Sequence, residues 1–478
     1  AFGSDVAAAL EDAVALVSAL AEHGWQDVPH ALGAYERVRR PAVARLQRDG
    51  RAARRWFESA RLRLDQAPVV FTFGLITRSP DVTYDEVRRR DPRLVEALDR
   101  EFGASHGRPA TPGESPVPPA FVPLRVRRVE LANRIVVSPM CQYSARAGEV
   151  GDWHLAHLGS RALGGAGLVI SEMTDVEPAG RITHACAGLW NDEQAAAWRR
   201  IVEFVHATSG ARIGVQLAHA GRKASMRVPW EGGEPLTPAE GAWTAIAPSA
   251  VPFRPGWPVP RAMDRVDLER VREAFAAAAR RAEQAGFDWI ELHCAHGYLL
   301  STFLSPLVNH RTDDYGGALA NRMRYPLEVF RTVRAVWPAS RPISVRISAT
   351  DWFEAEGRGT TLEESVAFAH ELRDAGCDLV DVSAGGNVPE SQPETGPVYQ
   401  AAFAERIRLE AGVPVMAVGG ILDADHANTV LGAGRADLAV IARAHLADPY
   451  LTLHAATRYG VDVPWPNQYL RGRPAGPR

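Results

Sequence analysis

Apolar positions along this chain fall into two regimes. From about residue 121 onward, short β-branched runs bounded by Gly or Pro alternate with Ala-rich stretches of helical period. The runs are RIVVSPM (134–140), GLVISEM (167–173), RIGVQLAH (212–219), DWIELHC (288–294), ISVRISA (343–349), LVDVSAG (379–385), PVMAVGG (414–420) and DLAVIAR (437–443). They are continuously apolar rather than alternating, as strands of a sheet covered on its outer face are. The stretches between them, such as DLERVREAFAAAARRAEQAG and LEESVAFAHELRDAG, end at Gly, a common helix stop. Eight such units over roughly 330 residues predict an α/β fold, a (β/α)8 TIM barrel with insertions. A doubly wound open sheet is the alternative. No G-x-G-x-x-G opens a helix after a strand, which weighs against it.

Residues 1–103 read differently. DVAAALEDAVALVSAL and HALGAYERVRRPAVARLQRDGRAARRWFE carry helix formers and no strand pattern, with Pro41 a kink or a helix start. A segment this small has little core of its own. Between the regimes, ASHGRPATPGESPVPPA (104–120) is rich in Pro and Gly and reads as a linker, placing the barrel at 121–473. The largest insertion, about 222–262, is rich in Pro, Gly and Trp and follows the third strand. It reads as a lid or substrate loop over the catalytic face, or as a packed surface excursion.

Composition narrows the class of protein. Of 478 residues, 46% are hydrophobic and 23% charged, and the formal net charge is −3. That balance points to no nucleic-acid partner and no membrane surface. Four cysteines (Cys141, Cys186, Cys294, Cys377) form no C-x-x-C pair and no disulfide framework, which suits a reducing cytoplasm. The chain lacks an initiator Met and a secretory start, so it is expected to begin partway into a longer protein.

In such a barrel the chemistry sits at the C-terminal ends of the strands. That rule gathers Ser138, Cys141 and Tyr143 after strand 1, Glu172 and Met173 on strand 2, and Gln216 and His219 on strand 3. It adds His293 and His296 after strand 4 and Arg346 on strand 5. Gly385, Gly386, Gly419, Gly420, Ala442 and Arg443 at the ends of strands 6 to 8 suit a phosphate, because Gly lets backbone N–H groups approach an anion. A phosphate-bearing planar cofactor is the economical reading. HCAHGYLL (293–300) itself admits three readings: a metal site, a pair of core histidines, or a clamp for a substrate oxygen with Tyr298 as proton donor. The metal reading lacks an H-E-x-x-H or a carboxylate at ligand spacing. A second H-x-x-H, His154 and His157, lies away from a strand end and reads as structural.

The motifs NRIVVSPMCQYSA, GDWHLAHLGSRALGGAGLVISE, IGVQLAHAGRKA, IELHCAHGYLLSTFLSPLVNHRTDDYGGALANRMRYPLEV, VRISATD, VSAGG, MAVGGI and QYLRGR run in order through 121–473. Together they resemble the old yellow enzyme family of flavin-dependent ene-reductases, closest to its short branch, the bacillary NADPH dehydrogenase type. The resemblance implies FMN held by Ser138, Pro139, Met140, Cys141, Met173, Gln216 and Arg346, with its phosphate near Gly385, Gly420, Ala442 and Arg443. It implies NADPH or NADH as reductant and a small enone or aromatic acyl-CoA as substrate. The carbonyl would lie on His293 and His296, with Tyr143 beside them and Tyr298 as proton donor. Arg471 matches an arginine that reaches a neighbouring subunit's site, implying a homo-oligomer. Two positions depart from the family pattern: Ala442 replaces a usual Gly, and Cys294 a usual Ala.

Residues 1–103 resemble the C-terminal part of an FAD-dependent aromatic hydroxylase, as in salicylyl-CoA 5-hydroxylase and 2-aminobenzoyl-CoA monooxygenase/reductase. The dinucleotide fingerprint of that half is absent, so the chain is expected to be a truncated bifunctional protein that neither binds FAD nor hydroxylates. Two other readings stay open: a non-flavin, metal-dependent barrel enzyme using His293, Cys294 and His296, and a docking partner of a hydroxylase.

Overall fold

The computed structural model describes residues 4–111 and 113–474. The chain forms two compact units, 1–95 and 96–478. The first is helical: α1 (Ser4–His23), α2 (Val28–Glu58), α3 (Pro68–Ile76) and α4 (Tyr84–Arg90), while α5 (Pro92–Ser105) crosses the division. Pro41 lies inside α2 and starts nothing. α1 and α2 are tied by the buried Arg39, whose Nε donates to Asp12 Oδ1 at 2.6 Å and Nη1 to Glu11 Oε2 at 2.9 Å.

The second unit is a barrel. Each of the eight apolar runs marks one strand, the second extending two residues past its run: β1 (Ile135–Val137), β2 (Leu168–Asp175), β3 (Arg212–Ala218), β4 (Trp289–Cys294), β5 (Ile343–Ser348), β6 (Leu379–Ser383), β7 (Val415–Ala417) and β8 (Leu438–Ile441). All neighbours pair in parallel, and β8 closes on β1 through Ala439↔Ile135, Val440↔Val136 and Ile441↔Val137. That closure excludes the open sheet. Helices follow the strands outside, among them α6 (Asp152–Leu163), α7 (Asp192–Thr208), α8 (Arg265–Ala285), α9 (Leu299–Leu304), α10 (Leu319–Val336), α11 (Leu362–Asp374), α12 (Ala401–Ala411), α13 (Ala424–Gly432), α14 (Arg443–Ala447) and α15 (Leu451–Tyr459). Strands are buried on both faces because the helices cover one and the barrel lumen takes the other, which is why their sequences do not alternate. Among the described residues no helix is long and apolar enough to cross a membrane.

The lower lumen is apolar. Val136, Leu168, Ile170, Trp289, Leu379, Met416 and Leu438 pack there with Val129 and Leu131, from the short ribbon 124–131. Part of the Pro/Gly-rich stretch is pinned at its end: the Ala120 N–H donates to Asn428 Oδ1 at 2.8 Å, and Pro119 to Phe121 are buried.

A repeated aspartate secures the strand starts. Asp288, Asp378 and Asp437 each precede a strand, and each accepts an N–H at the start of a neighbouring strand: Ile213 at 3.0 Å, Ile343 at 2.9 Å and Val415 at 2.9 Å. An N–H left without its acceptor inside a packed fold is costly. Asp378→Ala is therefore expected to lower the unfolding free energy by about 1–3 kcal/mol in urea titration. Asp378→Asn, which keeps an acceptor, should lose less; equal losses would show that the N–H bond is not the cause.

Candidate active site

The alternation of side chains along β4, β5 and β6 sends Glu291 and His293, Ser344, Arg346 and Ser348, and Asp381 and Ser383 to common faces. All seven are buried. Across the strands His293 pairs with Arg346, and Arg346 with Asp381. On β2 the register shifts between Ile170 and Met173, which sets Met173 opposite Gln216 on β3. The upper lumen therefore carries Met173, Gln216, His293 and Arg346, with Ser138 just past the end of β1. The Arg346 Nη1 donates to Ser138 Oγ at 3.2 Å, and its Nε lies 3.4 Å from Asp381 Oδ2.

The two histidines meet edge to face, ring centres 5.1 Å apart, and Tyr298 stands against His293 at 4.9 Å. The Ala295 N–H donates to His293 Nδ1 at 3.2 Å, so a neutral His293 carries its proton on Nε2. That nitrogen lies 3.4 Å from His296 Nδ1, and His296 Nε2 lies 2.7 Å from Ser383 Oγ. Burial holds both rings well below their ordinary value; for His293 the neighbouring His296, Arg346 and Lys223 add to it, and for His296 Arg346 and Lys223 do. Two neutral rings that present N–H groups suit a carbonyl oxygen better than an acid does. Burial likewise lifts the Tyr298 phenol well above its usual range, so it keeps its proton.

Backbone strain marks the same place. His296 (φ 61°) and Tyr143 (φ 48°) occupy the left-handed region, rare for such residues. Lys223 holds the first: its Nζ donates to His296 O at 2.6 Å and to Gly386 O at 2.7 Å. Gly386 has φ 90° and backs directly onto the His296 backbone, where a Cβ would collide. Burial, with Arg222 and Arg254 nearby, pushes the Lys223 ammonium down to about 7. Reading the sequence missed Lys223, although HAGRKA carries it, because no spacing shows that β3's following turn crosses to β4 and β6. Ser383 was missed for the same reason.

The remaining sequence-predicted residues are placed as follows. Pro139, Met140, Cys141 and Tyr143 are half-buried on the segment after β1. Cys141 and Tyr143 pack with Met173, Cys186 and Tyr298 in one apolar cluster. Burial, and then the Glu172 carboxylate, push the Cys141 thiol well up. Gly385 (φ 72°) and Gly420 (φ 71°) follow β6 and β7. A Cβ on Gly420 would strike Gly396 O, so the protein's own packing already demands glycine there. Ala442 caps α14, and Arg443 is exposed at its start. Arg471 is exposed on the turn Asn467–Gly472 and shares no described hydrogen bond or ion pair with the others. His154 sits in the first turn of α6 with Nε2 3.1 Å from Glu172 Oε1, and Glu172 Oε2 accepts the Gln142 N–H at 3.0 Å. The insertion brings Trp230 edge-on to Tyr143 at 6.1 Å.

The upper lumen carries groups of the kind that would meet the ring of FMN. Arg346 Nε is buried with no aligned hydrogen-bond partner, which leaves a cationic donor at the floor of the mouth. Gln216 adds an amide, and the methionine and cysteine side chains add polarisable apolar walls. Among the described residues no three His, Cys, Asp or Glu side chains group to hold a metal ion.

A closed barrel with a buried cation, an amide and a histidine pair at the C-terminal mouth has the layout of a TIM-barrel enzyme. The family model described as NADH:flavin oxidoreductase / NADH oxidase family matches residues 119–459, so the chain belongs to that family. It is 45% identical over 354 residues to the NADPH dehydrogenase of Geobacillus thermodenitrificans (strain NG80-2), covering 74% of this chain and 98% of that protein. Among solved structures it is similar to morphinone reductase, with 30% identity, a TM-score of 0.59, and 72% and 91% of the two chains covered. It is also similar to a 2-naphthoyl-CoA reductase complexed with 2-naphthoyl-CoA, with 25% identity, a TM-score of 0.62, and 70% and 51% covered. The protein is an FMN-dependent NAD(P)H oxidoreductase of the ene-reductase, old yellow enzyme type, acting on activated C=C bonds.

Because the folded histidines resist protonation, the unfolded chain binds protons that the folded one refuses. Stability contributed by neutral His293 and His296 is present above the ordinary value of 6.5 and is lost as the pH falls below it. Ring-nitrogen NMR signals of both are expected to stay those of neutral imidazole through pH 6.5. A midpoint near 6.5 in either would contradict this.

Proposed function

We propose that His293 and His296 clamp the carbonyl oxygen of an α,β-unsaturated acceptor and that Tyr298 protonates its α-carbon. The observation that carries this reading is the edge-on cluster of His293, His296 and Tyr298 at the end of β4, beside Arg346 on the next strand. With Ser383 donating its hydroxyl proton to His296 Nε2, the ring keeps its own proton on Nδ1. The N–H groups of His293 Nε2 and His296 Nδ1 then converge on one oxygen. Charge that develops there is stabilised without moving either ring. Tyr298 opens α9 with a protonated phenol beside the clamp, and Tyr143 and Trp230 wall the approach.

The chemistry FMN supplies when bound is hydride exchange, from NADPH or NADH and on to the acceptor's β-carbon. Ser138, Pro139, Met140, Cys141, Met173, Gln216 and Arg346 would hold it, with Gly385, Gly420, Ala442 and Arg443 about its phosphate. Within this proposal a dearomatised aromatic acyl-CoA is the narrower acceptor, supported by the likeness to the 2-naphthoyl-CoA reductase complex. Arg471 completes a neighbouring copy's site in a homo-oligomer, residues 1–103 are hydroxylase-like, and the compartment is the cytoplasm.

Tyr298→Phe is expected to slow reduction of a simple cyclic enone by about 100-fold or more, read by stopped flow on the FMN-loaded protein. An unchanged rate with flavin retained would remove Tyr298 from the role. Arg346→Met should release FMN on gel filtration; full retention would refute the assignment of Arg346.

A further inference from the structure

One layer beneath the clamp, two carboxylates lie in the closed lumen. Glu291 stands two residues before His293 on β4, and Asp381 two before Ser383 on β6, with no exposed surface on either. Between them β5 contributes Ser344 and Arg346. Were both carboxylates ionised, the layer of Glu291, Arg346 and Asp381 would bear a net negative charge out of reach of water. Such a charge is strongly disfavoured. Asp381 is the member committed to the cation, 3.4 Å from Arg346 Nε, although neither of its oxygens has an aligned hydrogen bond.

Glu291 is built to take a proton. Its Oε1 accepts the Gln216 amide at 2.9 Å, a bond that survives either protonation state. Its Oε2 lies 3.0 Å from Ser344 Oγ, and Trp289 Nε1 donates to that same hydroxyl at 2.9 Å. A serine hydroxyl both donates and accepts. It can donate to an ionised Glu291 or accept from a protonated one without moving a heavy atom. Asp381 has no such neighbour.

We propose that Glu291 and Asp381 are positioning residues that hold one proton between them, carried on Glu291, and that the charge of this layer tunes the reduction potential of a flavin held against Arg346. With the proton in place the layer is neutral and Arg346 is offset once. Without it Arg346 is offset twice, and added electrons on a flavin there are less well stabilised. The second clause rests on the assignment of Arg346 to the flavin; the first does not.

Burial, and then the charge of Asp381, lift the Glu291 carboxyl to about 8, against the pull of Arg346. Burial also lifts the Asp381 carboxyl, against the pull of Arg346, so the two carboxylates titrate as a pair. His293 on β4 is held well below, and the thiols of Cys294 and Cys377 are pushed up by burial. Lys223, on the far side of His296, does titrate near 7. It does so equally in a Glu291 variant, so a difference between proteins isolates Glu291.

Infrared spectra of the wild-type protein, with and without FMN, test the first clause. The expected result is a carbonyl stretch of a buried protonated carboxyl at neutral pH, lost above about 8 and absent in Glu291→Gln. No such band in the wild type overturns the proposal, whether or not the variant folds. Asp381→Asn, which removes the repelling charge, should also abolish the band at neutral pH; persistence counts against the shared proton. Potentiometric titration of the FMN-loaded proteins tests the second clause. The wild-type potential should fall below that of Glu291→Gln only on the alkaline side of 8, and coincident profiles overturn the tuning. Arg346→Met separates the two failures. If it leaves FMN retention and potential unchanged, the flavin assignment has failed, while the infrared band still decides the shared proton.

Discussion

A guanidinium is buried inside a closed barrel, and the upper lumen is arranged around it. Arg346 is buried, with 6% of its surface exposed, and its planar fork of donors is fixed in direction. It must be met by a carboxylate, by polar neighbours, and by a ligand at the mouth. Asp381 and the histidine pair stand on the strands adjacent to it or just past an end, and Ser138, just past β1, meets it from across the lumen. Barrel closure is what makes the demand strict, because a sheet with no open edge leaves a charge in the lumen little contact with solvent except through the mouth.

The same confinement explains the histidines. Packed against Arg346 and Lys223, they stay neutral, and neutral imidazoles are N–H donors of the kind a developing oxyanion needs. The cost is carried in the backbone. His296 is held in a left-handed conformation by Lys223 and by the close approach of Gly386, so the turn after β3 and the end of β6 fix what β4 presents. The chemistry-bearing loops are thus braced by one another as well as by their own strands. The lower lumen, packed with aliphatic side chains and closed by the 124–131 ribbon, supplies the rigidity beneath.

Much of this was legible in the residues. The eight strands were, because a parallel barrel buries each strand twice and leaves a continuous apolar run. Ser138, Gln216, His293 and Arg346 were, because a polar residue at the C-terminal end of such a run has nowhere to point but the mouth. Other features were not. Pro41 reads as a kink or a start, and only the structure shows that it starts no helix but lies inside α2. The glycines after β6 and β7 read as a phosphate cradle, but nothing along the chain shows that Gly386 and Gly420 also lie against the protein's own backbone. Lys223 and Ser383 are ordinary letters whose importance comes from the carbonyl or ring across the lumen.

What the sequence by itself determined is the order and kind of the elements, and with them which residues stand at strand ends, since period and burial are local properties of the chain. What only the tertiary structure decided is which of those residues share a charge or a proton. Glu291 and Asp381 lie 90 positions apart in the chain, and nothing in either neighbourhood announces a partner. Closure of the barrel places both in one layer with Arg346. The strength of a charge interaction depends on distance through space and on exclusion of water, and neither is written along the chain.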